Sequence, residues 1–125
     1  MRPAVLRHAP DTECFTEERC HITELSNSAA DEQLSVALAR VEPGVTTRWH
    51  RLRSTTERYV VVSGEGLVEL GGMPPQSLAP NDVALIPPGC PQRITNTGDA
   101  DLVFLALCTP RFQATSYEDA EPGPA

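Results

Sequence analysis

The sequence predicts an all-β fold, and three observations carry that prediction. Its middle part breaks into short segments in which apolar and polar residues alternate or β-branched residues accumulate. Glycine and proline separate those segments at close intervals, as the turns between short strands require. Nowhere do apolar residues recur with the helical period of about 3.6. Roughly nine such strands indicate a sandwich or barrel.

Taken in order, CHITEL (20–25) sets Cys20, Ile22 and Glu24 on one side of a strand. LSVALARVE (34–42) alternates Leu34, Val36, Leu38 and Arg40 against smaller residues and stops at the Pro43-Gly44 turn. TRWHRL (47–52) and ERYVVV (57–62) form the next two strands, and the Gly64-Glu65-Gly66 turn leads into GLVEL (66–70), which ends at Gly71-Gly72. QSLA (76–79), DVALIP (82–87), PQRITN (91–96) and DLVFLAL (101–107) complete the series.

A chain of 125 residues holds one core. The barrel is expected over 19–112. Residues 1–18 form an N-terminal extension, and QATSYEDAEPGPA (113–125), acidic with two prolines, is expected to fray.

Composition narrows the function. With 40% apolar and 22% charged residues the balance is that of a soluble globular protein, and no apolar run approaches the roughly 18–20 residues that span a bilayer. The opening MRPAVLRHAPDTECF lacks the apolar block of an export signal, so a cytoplasmic location is the expectation. Seventeen acidic against ten basic side chains give a net charge of −7, which repels nucleic-acid phosphates and anionic membrane surfaces alike. Cys14, Cys20, Cys90 and Cys108 form no CxxC pair; they read as buried thiols rather than a zinc finger.

The chemistry concentrates in TTRWHRLRSTTERYVVVSGEG (46–66). Alternation places Arg48, His50 and Leu52 on one face of their strand, and Glu57, Tyr59 and Val61 on one face of the next. A hairpin around Arg53–Thr56 brings His50 and Glu57 to one side of a sheet, where an imidazole and a carboxylate suit a metal ion. The alternative is a core histidine satisfied by Glu57. Arg48, inward beside His50, is positioned to clamp a substrate carboxylate or phosphate, or else to pair with a rim carboxylate. Tyr59 is a candidate proton donor, or a wall aromatic whose hydroxyl is satisfied.

The series Gly44-(5)-His50-Arg51-Leu52-(4)-Glu57-(6)-Gly64 resembles the first cupin motif, G-x5-H-x-H-x3–4-E-x6-G. Asn81-Asp82-(4)-Pro87-Pro88-Gly89-(2)-Gln92-(3)-Asn96 resembles the second, G-x5-P-x-G-x2-H-x3-N. The resemblance implies a small single-domain cupin β-barrel. It also implies a divalent metal ion (Mn, Fe, Ni, Cu or Zn) held by His50, Glu57 and Gln92, with Leu52 and Gln92 standing where metal-binding members carry histidines. Cys90, two residues before Gln92, and Cys108 are further candidates as thiolate ligands. The activity implied is isomerase, cyclase, lyase or dioxygenase chemistry on a small organic molecule inside the barrel, with Glu57 or Tyr59 moving the proton. The alternative is a non-enzymatic module binding a small ligand or a metal. Small cupins also imply a homodimer, with residues 19–25 adding to the neighbour's sheet.

Overall fold

The computed structural model describes residues 1–122 and, among them, consists of eleven strands and two single 3-10 turns, with no α-helix. In chain order the strands are β1 (Cys14–Phe15), β2 (His21–Ser26), β3 (Ser35–Val41), β4 (His50–Leu52), β5 (Thr56–Ser63) and β6 (Gly66–Leu70), followed by β7 (Gln76–Leu78), β8 (Val83–Ile86), β9 (Gln92–Asn96), β10 (Leu102–Thr109) and β11 (Tyr117–Asp119). A six-stranded sheet runs β1-β2-β3-β10-β5-β8 and a five-stranded sheet runs β11-β4-β9-β6-β7. Every pairing is antiparallel.

Between the sheets lies one apolar core, including Val41, Val61, Ile86, Ile94, Leu102 and Phe104. These are the inward members of the alternating strands, removed from water as their neighbours stay outside. Two turns are fixed by backbone demands. Gly64 has φ +82, and a Cβ there would stand 2.6 Å from the Asp101 carbonyl oxygen, so only glycine fits. Asn96 ties the next connection by donating through Nδ2 to the Val41 and Ala100 carbonyls, both at 2.8 Å.

The nine expected strands are present, and two short ones lie beyond them. β1 falls within the expected extension and pairs with β2. β11 falls within the segment expected to fray and pairs with β4 through Tyr117↔Leu52, Glu118↔Arg51 and Asp119↔His50; residues 123–125 of that segment lie outside the described residues. Ion pairs accompany this backbone pairing. Glu118 pairs with Arg53 at 3.0 Å, Asp119 with Arg48 at 3.0 Å and Glu121 with Arg19 at 2.7 Å. The composition that suggested a frayed tail is complementary to the arginines of the β4 region.

The relation of β4 to β5 also differs from the hairpin expected around Arg53–Thr56. β4 belongs to the five-stranded sheet and β5 to the six-stranded one, so the chain crosses between sheets at that turn. His50 and Glu57 therefore approach from opposing walls.

Candidate active site

A cavity of about 350 Å³, within the roughly 300–1,000 Å³ typical of small-molecule sites, opens at one end of the barrel. The five-stranded wall contributes His50 and Leu52, and the six-stranded wall contributes Glu57, Ala106 and Cys108. Small inward residues on β3, Ser35 and Ala37, leave the space open, while larger Val36 and Leu38 alternate to the other face.

His50 is 4% exposed, and its Nδ1 lies 2.8 Å from the Arg48 carbonyl oxygen. A carbonyl only accepts, so in the neutral ring Nδ1 is the donor and Nε2 carries the free lone pair. Nε2 has no hydrogen-bond partner among the described residues. The Tyr117 ring stacks on the imidazole, with centroids 5.3 Å apart and an interplanar angle of 19°.

Glu57 is 8% exposed, and its Oε1 is buried with no hydrogen-bond partner among the described residues. The Cys108 Sγ sits 3.8 Å from its other oxygen. Burial, reinforced by the charge of Glu18, raises the Glu57 pKa to about 8; contacts from Gln92 and Cys108, which favour the carboxylate, offset part of that rise. Glu57 accordingly keeps its proton to higher pH than an ordinary carboxyl does. Burial first, then Glu57, also raises the Cys108 pKa, which keeps it a thiol rather than a thiolate ligand.

Gln92 is register partner to His50 across β4 and β9, and its Oε1 accepts from the Tyr59 hydroxyl. Tyr59 is buried, with its pKa raised well above the usual value by desolvation and then by Glu57. It is the satisfied wall aromatic of the two alternatives and does not line the cavity. Arg48 likewise stands outside. Its guanidinium pairs with Asp119, in a neighbouring cleft with Glu17 and Tyr117. Cys90 precedes β9 instead of sharing its inward face; its Sγ lies 3.5 Å from the Pro91 carbonyl, away from the cavity.

Of the donors expected for a divalent ion, His50 Nε2 and Glu57 Oε1 are free, whereas the Gln92 oxygen is committed to Tyr59. Among the described residues no group of three His, Cys, Asp or Glu side chains could hold a metal. As placed, these residues fall short of a three-ligand site. Tyr117 and Glu18, both lining the cavity, were not singled out from the sequence, because the acidic segments that carry them gave no strand pattern.

Antiparallel β-strands closing around an inward-facing pocket define a small β-barrel of the cupin class. The family model "Cupin domain" matches residues 37–108, and the chain belongs to that family. No curated protein matches it in sequence. Solved structures with the same fold include KdgF from Halomonas sp., at 19% identity and TM-score 0.72 over 84% of this chain and 94% of that one. Pac13 from Streptomyces, described as a unique nucleoside dehydratase, aligns at 16% identity and TM-score 0.76 over 94% of this chain and 92% of its own. The capsular polysaccharide assembling protein CapF from Staphylococcus aureus aligns at 21% identity and TM-score 0.72, covering 98% of this chain but 35% of that larger one. At these identities the likeness establishes the fold alone.

Proposed function

We propose that the cavity catalyses proton transfer on a small organic molecule, in an elimination or isomerisation, with His50 as base and Glu57 as acid. The observation that carries this reading is that two unpartnered atoms, His50 Nε2 and Glu57 Oε1, belong to residues lining one cavity from opposing walls. His50 Nε2 removes a proton from a carbon beside a carbonyl or other activating group. Glu57, protonated through desolvation, gives its proton to the departing hydroxyl or to the carbonyl oxygen. Apolar Leu52 and Ala106 line the same cavity. Fold neighbours that include a nucleoside dehydratase support the elimination half of this range by analogy.

The test is proton NMR in D₂O on a panel of small hydroxy-carbonyl compounds, with chelator present. Exchange or dehydration should occur with the unmodified protein and fall about 10²–10⁴-fold in His50→Gln and Glu57→Gln variants that retain the fold. Activity surviving in His50→Gln overturns the proposal. A second reading, favoured by the orphaned Oε1 of Glu57, is a divalent ion on His50, Glu57 and a Gln92 released from Tyr59, which would polarise a substrate carbonyl as a Lewis acid. Activity lost to chelator and restored by one metal selects that reading. Ligand binding without turnover in either condition selects the non-enzymatic module.

A homodimer is also proposed, through a surface other than residues 19–25. In the structure β2 lies between β1 and β3 of its own sheet. The outer face of that sheet instead carries Val36, Leu38, Leu105, Val60, Val83 and Leu85, with Leu105 in register with both Leu38 and Val60, and Val60 with Val83. Val83 and Leu85 are 51% and 69% exposed, a contiguous apolar surface that a second copy would cover.

A further inference from the structure

The electrostatics of the cavity narrow its ligand, and the inference rests on the reading of this cavity as the ligand site. Besides His50, every ionisable acid–base group along its lining apart from the Cys108 thiol and the Tyr117 phenol is a carboxyl: Glu17, Glu18, Glu24 and Glu57. Among the described residues no arginine lines it, and the chain contains no lysine. Arg48 and Arg19 are engaged elsewhere, Arg48 with Asp119 at 3.0 Å and Arg19 with Glu121 at 2.7 Å. Neither Glu17 nor Glu18 has a salt-bridge partner among the described residues.

An anion entering this space would leave bulk water without gaining a cationic partner and would face the carboxylates of Glu17 and Glu18, a costly exchange in a partly desolvated pocket. A cation meets the opposite situation. Glu17 and Glu18 line the cavity without a salt-bridge partner among the described residues, Glu18 stands close enough for its charge to act on the buried Glu57 carboxyl, and Tyr117 and Phe112 border the same space. Carboxylates with aromatic walls form an ammonium-binding environment.

We propose that the cavity selects a small organic cation, an amine carried on an apolar body, and rejects phosphorylated and carboxylated molecules of the same size. The amine lies toward Glu18 and the apolar body against Ile22, Leu52 and Phe112.

Three probes of matched shape test this by calorimetry and thermal shift: 2-phenylethylammonium, 2-phenylethanol and phenylacetate. Binding is read without turnover, so failure of the proton-transfer chemistry leaves the measurement interpretable. The ammonium should bind at least ten-fold tighter than the alcohol, and phenylacetate should not bind at millimolar concentration. In Glu18→Gln the ammonium should lose most of its advantage while the alcohol binds as before; Glu17→Gln, at the outer edge, should lose less. Phenylacetate binding as tightly as the ammonium, an ammonium preference unchanged in Glu18→Gln, or no binding by any probe overturns the proposal.

Discussion

At the residue scale, Glu57 has a consequence that stability measurements reveal. Its pKa rises on folding from 4.5 to about 8, so the folded state holds a proton that the unfolded chain releases. The sign follows: this contribution is fully present below pH 4.5 and is lost as pH rises toward 8, by up to about 1.4 kcal/mol per unit. Glu57→Gln should flatten that stretch of the stability profile and be the more stable protein at pH 8, as denaturant titration will determine. A profile for Glu57→Gln that declines as steeply as that of the unmodified protein contradicts the buried-acid description. Tyr59 lends itself to a separate test. Because its hydroxyl donates to buried Gln92 and faces no cavity, Tyr59→Phe should cost about 1–3 kcal/mol of stability yet leave ligand affinity within about two-fold. A large loss of binding with intact stability would return Tyr59 to the site.

At the scale of elements, β4 is a short strand with one register pair to β9 and three to β11. Its position, and hence that of His50, depends on the C-terminal segment. The Arg53 amide donates to the Ser116 carbonyl at 2.8 Å and the Ala120 amide to the Trp49 carbonyl at 2.9 Å. A chain ending at Phe112 should therefore lose hydrogen-exchange protection at Arg53 while the β10 amides keep theirs. Unchanged protection at Arg53 would mean that β4 is held from the β9 side alone. The same element marks where the sequence stopped being informative. Segments such as ERYVVV and DLVFLAL announce themselves because alternation and β-branched content reflect burial between two sheets. A three-residue edge strand held by ion pairs to distant arginines has no such periodicity, because its partners are set by tertiary structure. For the same reason the turn at 53–56 read as a hairpin: local spacing specifies a reversal but not which sheet receives the next strand. His50 and Glu57 were legible as a pair through their inward alternation and the motif; the commitments of Gln92 to Tyr59 and of Arg48 to Asp119 were not, since each is a contact made across the fold.

For the whole molecule, β10 is apolar on both faces, a pattern that buries one side in the barrel and leaves the other needing cover. Leu85→Glu should convert a dimer into a monomer in light scattering without unfolding the barrel; a monomeric unmodified protein would remove the proposed interface. The barrel as a whole is what withdraws Glu57 from water while bringing His50 to the opposing wall, so the most direct test of the proposed chemistry asks whether that withdrawal occurs. Carbon-13 NMR of glutamate side-chain carboxyls, assigned by difference with Glu57→Gln, follows this one group through pH. A midpoint near 8 is the expected result; a midpoint at the ordinary carboxyl value of 4.5 would contradict a buried, protonated acid lining the cavity with His50.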